Sequence, residues 1–276
     1  MQSHSTGIRN LNGDAYKAIE VVYPSLAEQR RIVAILDEAF EGIATAKAHA
    51  EKNLRNAREI FNSALDGALS RIGDGYVETT LGDEAEVLAG YAFPSKGYVA
   101  ATDGVRLLRG DNIMQGFLRW EDSKAWPSTD LAPYERFALR AGDVVLAMDR
   151  PWVKAGLKRA QLGVGDLPSL LLQRTARLRP RERMTEDFLF RLTGSDSFSR
   201  HLLALQTGIG VPHISGKQIE SYRFLLPPIE AQRKISHALD EMDRQSQLLT
   251  NNYRRKLAVL DELKQSLLHQ AFSGKL

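Results

Sequence analysis

Four stretches of the sequence concentrate side chains able to hold a polyanion. The first is Gly90 to Tyr98 (GYAFPSKGY), with Tyr91 and Lys96. The second is Arg106 to Asn112 (RLLRGDN), with Arg109 and Asn112. The third, Asp149 to Arg159 (DRPWVKAGLKR), sets Arg150, Trp152, Lys154, Lys158 and Arg159 among Pro and Gly with a single carboxylate. The fourth is Gln173-Arg174, followed by Arg177, Arg179, Arg181 and Arg183. Arginine and lysine neutralise phosphates, arginine also reads guanine with two bonds, and asparagine and glutamine read adenine. Tyr91, Lys96, Arg109, Asn112, Arg150, Trp152, Lys154, Lys158, Arg159, Gln173 and Arg174 are therefore expected to contact double-stranded DNA. For any one of them the alternative is a solvated surface, with Tyr91 and Phe93 in a core. The third stretch argues against that alternative, because a tryptophan amid four cations is unusual as plain surface. His213, in Val211-Pro212-His213-Ile214, is read as fixing a turn rather than touching a base.

Other chemistries lack their residues. A phosphate-wrapping loop needs G-x-x-x-x-G-K-[ST]; Gly210 to Gly216-Lys217-Gln218 is one residue too long and has no hydroxyl. Gly208-Ile209-Gly210 is a lone fragment of a dinucleotide fingerprint with no acidic partner. There is no N-P-P-[FY] tetrapeptide of an amino-methyltransferase, no Pro-Asp dipeptide of the commonest restriction-nuclease core, and no G-x-S-x-G elbow. The six histidines are scattered without metal-ligand spacing, so no metal and no cofactor are expected. With no cysteine, disulfides, cysteine-ligated zinc and thiol catalysis are excluded, which fits a reducing compartment.

The loops must be held by something, and an internal repeat shows what. PSLAEQRRIVAILDE from Pro24 recurs as PPIEAQRKISHALDE from Pro227, an offset of 203 positions that holds without a gap to Ser70 and Ser273. Gln29/Gln232, Arg30/Arg233, Leu36/Leu239, Asp37/Asp240 and Leu65/Leu268 are identical pairs. Upstream, Thr6-Gly7-Ile8 resembles Thr207-Gly208-Ile209 more loosely. Both copies read as long helices entered through proline, which is tolerated there. A strict heptad count puts Leu36, Ile43, Ala50, Ala57 and Ala64 at one seam position of the first helix, and Ala39, Ala46, Asn53, Ile60 and Gly67 at the other. In the second helix it gives Leu239, Ser246, Tyr253, Leu260 and Leu267, then Met242, Leu249, Lys256, Leu263 and Gln270. A small seam facing a bulky one predicts that the helices pair with each other, as an antiparallel coiled coil.

Between the helices the pattern changes to recurrent Gly and Pro with short strand-like runs at Val105–Leu108, Asp143–Ala147, Leu170–Leu178 and Tyr222–Leu226, and helical stretches at Asp187–Thr193 and Ser197–Gln206. The predicted fold class is α+β: a mixed globular body plus two long helices. The boundaries expected are a tail at 1–23, the first helix at 24–71, the body at 78–226 and the second helix at 227–273. The composition agrees: 276 residues, 43% hydrophobic, 26% charged and a net charge of +3, with no apolar run long enough for a membrane span and no apolar N-terminal leader. A cytoplasmic protein is expected.

In order, these pieces resemble the specificity subunit of type I DNA restriction–modification enzymes. The resemblance rests on PSLAEQRRI and PPIEAQRKI, on Leu81-Gly82-Asp83 leading to GYAFPSKGY, on VRLLRGDNI (Val105–Ile113), LRAGDVVL (Leu139–Leu146) and LQRTARLRP (Leu172–Pro180), and it covers nearly the whole chain. It implies target-recognition domains alternating with two helices, whose coiled coil sets the spacing of a split DNA site. It further implies docking of methyltransferase (modification) subunits and later of restriction subunits, with no chemistry in the subunit itself. This sequence has two helices but one recognition body, and residues 1–23 match only the closing tail of another. It therefore resembles a half-type or truncated form, in which a homodimer would restore two bodies. Partner contacts are expected at the helix starts, at Glu28, Gln29, Arg30, Glu230, Gln232 and Arg233; the alternative is that these residues cap the helices. Two other readings stand beside this one: a coiled-coil adaptor whose body binds protein, and a nuclease with an unrecognised site.

Overall fold

The computed structural model describes residues 2–3, 9–10, 13–153, 156–207 and 212–276. The chain divides into two compact units, Met1–Arg55 with Asn251–Leu276, and Asn56–Thr250. The expected tail at residues 1–23 lies partly outside the described residues, as does the Gly208-Ile209-Gly210 fragment. The first long helix, α1, covers Leu26–Leu69. It starts where the Ser25 hydroxyl accepts the Glu28 N–H, a side-chain cap on an otherwise unpaired donor.

The body begins with β1 (Val77–Thr80) and β2 (Ala85–Ala89), followed by β3 (Val99–Ala100), β4 (Gly104–Leu108) and β5 (Lys124–Pro127). After these come β6 (Val144–Ala147), β7 (Trp152–Val153), β8 (Gly156–Leu157) and β9 (Arg159–Gln161). The last strands of the sheets are β10 (Ser169–Leu171) and β11 (Thr175–Pro180), and three helices follow: α2 (Glu186–Thr193), α3 (Asp196–Leu205) and α4 (Gly216–Glu220). One four-stranded sheet has the order β9-β6-β11-β2 and is antiparallel throughout. The other has the order β10-β4-β5-β3, with β10 parallel to β4. β6 reads Val-Val-Leu-Ala and is buried at every position, because each of its faces meets apolar side chains: Val144 and Leu146 join Leu81, Phe188 and Phe198, while Val145 and Ala147 join Leu108, Ile113 and Leu171.

The run expected as one strand at Leu170–Leu178 is two strands in different sheets. The chain turns at Leu172 to Arg174, where Arg174 has φ +65°. Hydrophobicity alone does not show that corner. Arg177 and Arg179 are likewise not surface cations, whereas Arg183 stays exposed while pairing with a buried carboxylate. Arg179 makes a two-bond pair with buried Asp143 at 2.7 and 2.8 Å, Arg177 pairs with Glu86 at 2.8 Å, and Arg183 pairs with Glu84. Their carboxylates come from other elements, so sequence proximity concealed them. Burial, with Arg179 alongside, lowers the Arg177 pKa, while hydrogen bonding to Asp143 raises that of Arg179.

The body closes with β12 (Arg223–Leu226), which pairs antiparallel with β1 from Leu226 opposite Val77 to Arg223 opposite Thr80. The chain leaving α1 and the chain entering the second long helix, α5 (Ile229–Phe272), therefore lie side by side. In the unit Asn56–Thr250, Ser246 Oγ donates to Ala57 O at 2.9 Å. In the other unit, Lys47 pairs with Asp261 at 2.6 Å, Lys264 Nζ lies 5.0 Å from the Phe40 ring centroid, and Arg31 donates to Leu276 O at 2.6 Å. Partner numbers in α5 rise as those in α1 fall, which is the antiparallel pairing the sequence predicts.

The seam differs from the strict heptad count. In α5 one stripe holds as read, with Leu239 buried and Ser246, Tyr253, Leu260 and Leu267 partly buried. The other is displaced by one residue, since Asp243, Thr250, Leu257 and Ala271 turn inward while Met242, Leu249 and Leu263 stay exposed. In α1 Leu36, Ile43, Ala50, Ala57 and Ala64 turn inward as read, while beyond Ala50 Leu54, Phe61 and Ala68 replace Asn53, Ile60 and Gly67 on the inner face. Two successive four-residue steps, 46 to 50 to 54, shift the stripe as a stutter does. Beyond it, α1 also serves the body: Phe61 lies under the Arg191 guanidinium and Asp66 accepts the Asp196 N–H. Burial raises the pKa of the Asp66 carboxyl. Among the described residues no helix is long and apolar enough to cross a membrane.

Candidate nucleic-acid interface

Six chain segments around the sheet ends are tied together by main-chain bonds. Gln173 N–H donates to Tyr91 O at 2.8 Å, and Leu172 N–H to Leu108 O at 3.1 Å, which sets Arg109 beside Gln173. Met148 N–H donates to Arg174 O, Ala147 N–H to Lys158 O, and Arg150 N–H to Pro212 O. Gly90 must be glycine for this packing, because a Cβ there would lie 2.0 Å from Leu172 O. Arg150 and Arg174 both have positive φ, +45° and +65°, an arrangement uncommon outside glycine that concentrates at functional sites.

The expected contact residues separate into three sets. At the edge, Arg150, Gln173 and Arg174 are exposed, and Arg109 and Lys158 are partly so. Arg174 Nε lies 3.3 Å from Asp149, and Arg109 is 3.4 Å from Asp111. Burial lowers the Lys158 pKa, with Asp111 opposing the shift. Tyr91 is half-exposed beside them, its ring packed against Phe93, Tyr134 and Phe137. Lys96 is exposed in the helical turn Ser95–Gly97. Trp152 is partly buried and donates its indole N–H to Gln206 Oε1 at 3.2 Å, so it anchors the β7–β8 ribbon to the end of α3. Lys154 lies outside the described residues.

Two expected contacts are spent inside the body, which corrects the sequence reading. Asn112 is buried; its Oδ1 accepts the Arg109 N–H and its Nδ2 donates to Arg119 O, both at 2.9 Å, so it holds the turn and has no amide face free for a base. Arg159 donates to Phe190 O at 2.8 Å and stacks 4.1 Å from the Phe190 ring centroid. Burial, with Arg191 nearby, lowers its pKa to about 9. Its cation sits at the closing turn of α2, where the helix dipole favours it. The edge also holds residues that the sequence analysis did not nominate. Gln115 reaches the β7–β8 ribbon at Gly156, where a Cβ would fall 2.6 Å from the Gln115 amide nitrogen; Gln206 and Asp149 complete it. An isolated glutamine in a loop carries no signal that would have selected it.

The helix starts divide as well. Glu28 pairs with Arg31 and Glu230 with Arg233, each three residues apart, while Arg30 stays exposed. Hydrogen bonding to Arg31 lowers the Glu28 pKa. Gln29 donates to Pro24 O at 2.8 Å, and its repeat twin Gln232 makes the matching bond to Pro227 O at the same distance. Gln232 is fully buried, however, and also accepts from Thr185 N–H at 2.8 Å and donates to Arg183 O at 2.7 Å. It therefore locks α5 to the body and is not an exposed partner contact. In the same unit, Ile60 and Met242 line an open groove of about 530 Å³ and, with Leu249, a neighbouring one of about 110 Å³.

Fold and site together define a class: a mixed α/β body with a cationic loop edge, in a chain that carries a repeated antiparallel helix pair. Residues 139–257 match the family model described as the type I restriction modification DNA specificity domain. The chain is 34% identical to the type I restriction enzyme EcoAI specificity subunit of Escherichia coli, over 61% of this chain and 28% of that one. It is 25% identical to the MjaVIII specificity subunit of Methanocaldococcus jannaschii, over 100% of this chain and 66% of the relative. A solved structure from a study of assembly and conformational transition of the type I R-M system superposes with a TM-score of 0.77 at 22% identity, covering 93% of this chain and 62% of that one. Residues 139–257 thus match the type I DNA specificity domain, and the chain as a whole is similar to type I specificity subunits. It spans between about a quarter and two thirds of the length of these relatives.

Proposed function

We propose that this chain is the sequence-reading subunit of a type I restriction–modification complex, acting on duplex DNA in the cytoplasm. The observation that carries the reading is the edge formed by Arg109, Arg150, Lys158, Gln173 and Arg174, held by main-chain bonds from both sheets of a body whose residues from 139 onward match the family model. Rigid main-chain support favours base reading, since side chains on a fixed frame lose less freedom on binding. The subunit supplies no chemistry of its own; methyltransferase subunits do, and restriction subunits join them. The groove at Ile60, Met242 and Leu249 offers the methyltransferase subunits exposed apolar surface on the helix pair. The test is binding of the chain, assembled with its modification subunits, to a random-sequence duplex library. Enrichment of one site is the expected result, with affinity lowered when Arg150 and Arg174 are both alanine. A complex indifferent to sequence refutes the proposal.

A further inference from the structure

The sequence assigned His213 to a turn, and its backbone does hold one. Thr207 and His213 exchange N–H···O bonds of 3.0 and 2.8 Å, Arg150 N–H donates to Pro212 O, and Ile214 N–H donates to Met148 O at 2.9 Å. The residue is thus clamped between the Asp149 segment and Thr207. Its ring does something the turn does not need. Nδ1 hydrogen-bonds Asp149, while the side chain remains 42% exposed at the loop edge. Asp149 in turn contacts Arg174 Nε, and Arg150 and Arg174 flank it with positive φ.

The chemistry of that pair is directional. An ionised carboxylate only accepts, so Nδ1 carries a ring proton, and in its neutral form the ring presents Nε2 as an acceptor. Among the described residues nothing pairs with Nε2. An acceptor held at the edge of a DNA-reading loop matches an amino group in the major groove, either adenine N6–H or cytosine N4–H. Both the ring orientation and its tautomer are fixed before binding, the condition for discrimination rather than mere attraction.

We infer that His213 is a specificity-determining residue that reads one amino-bearing base through Nε2, with Asp149 as the positioning residue that fixes its tautomer. This rests on the DNA-reading function proposed above. The edge already has cations for phosphate, and Arg174 is 70% exposed there, so His213 is not needed as one more charge.

The test is selection of sites from a random duplex library by the chain assembled with its modification subunits, in wild-type form and as H213A and D149N. Wild type should require adenine or cytosine on one strand at one position. H213A should lose roughly tenfold discrimination there and leave every other position unchanged. D149N presents an amide that can donate to Nδ1, which moves the ring proton to Nε2; preference at that position should then pass to guanine or thymine, whose groove atoms accept. Unchanged site preference in H213A, with affinity lowered uniformly, overturns the assignment and leaves His213 a turn residue. D149N that relaxes the position without inverting it keeps His213 as the reader and refutes the tautomer argument. Wild type that selects no sequence refutes the underlying function instead. If H213A does not fold, H213Q carries the same readout, because Gln keeps a polar group at the edge but lacks the fixed acceptor.

Discussion

Gln232 offers a sharp test because the sequence supplies its own control. Gln29 and Gln232 are repeat twins at equivalent positions, and each amide bonds the carbonyl of the proline five residues back. Only Gln232 is enclosed, with two further bonds to Thr185 N–H and Arg183 O. Replacing it by alanine removes three bonds and leaves at least one buried donor and one buried acceptor facing a cavity. An unsatisfied buried group costs about 1–3 kcal/mol. Water reaching the partly buried Arg183 and Thr185 atoms recovers some of that, so Gln232→Ala should lose about 2–4 kcal/mol. Gln29→Ala, losing one bond at an exposed helix start, should change stability by less than about 0.5 kcal/mol. For a unit of this size ~2–4 °C accompany each kcal/mol, so the melting midpoints should part by roughly 4–16 °C. Thermal unfolding followed by circular dichroism, with both variants scanned side by side, gives the comparison. Midpoints within a degree of one another would refute the assignment of Gln232 as a lock. Loss of assembly with modification subunits at unchanged stability would instead restore the partner contact expected from sequence.

Three further outcomes follow from the same geometry. Arg150→Ala and Arg174→Ala should each lower the slope of log affinity against log salt by about 0.9, as expected for one phosphate contact apiece, measured by fluorescence anisotropy across a salt series; unchanged slopes would place these arginines off the DNA. Asn112→Ala should destabilise the body by about 1–3 kcal/mol through the orphaned Arg109 N–H and Arg119 O, and a urea titration monitored by tryptophan fluorescence reads this directly. Met242→Glu should leave folding intact, since the side chain is already exposed, yet weaken assembly with modification subunits by at least tenfold in analytical ultracentrifugation; unaltered assembly would move the docking site elsewhere.

Much of the architecture is legible in the order of residues. An offset of 203 positions fixes two like helices, and the helices take their ends from Pro24 with Ser25 and from Pro227 with Pro228, because proline and a hydroxyl at a helix start are local effects. The strands near Val105, Val144 and Arg223 follow from local apolar runs for the same reason. The seam was legible only in part. The period of 3.5 is a local property, but the body engages α1 at Phe61 and Asp66, and that packing selects Phe61 over Ile60.

Tertiary structure decides the rest, because the energies concerned join residues far apart in the chain. Whether an arginine faces solvent depends on a carboxylate delivered by another strand: Arg179 is neutralised by Asp143 and Arg177 by Glu86, whereas Arg150 keeps its side chain at the edge. Asn112 and Gln232 have the residue types of readers and contacts, yet burial obliges each to satisfy main-chain groups instead. His213 goes the other way. Its sequence neighbours describe a turn, and only the fold brings Asp149 to Nδ1 while leaving the side chain part-exposed. Residue type set which chemistry was available, and burial and pairing, which no local pattern encodes, set which side chains remain free to use it.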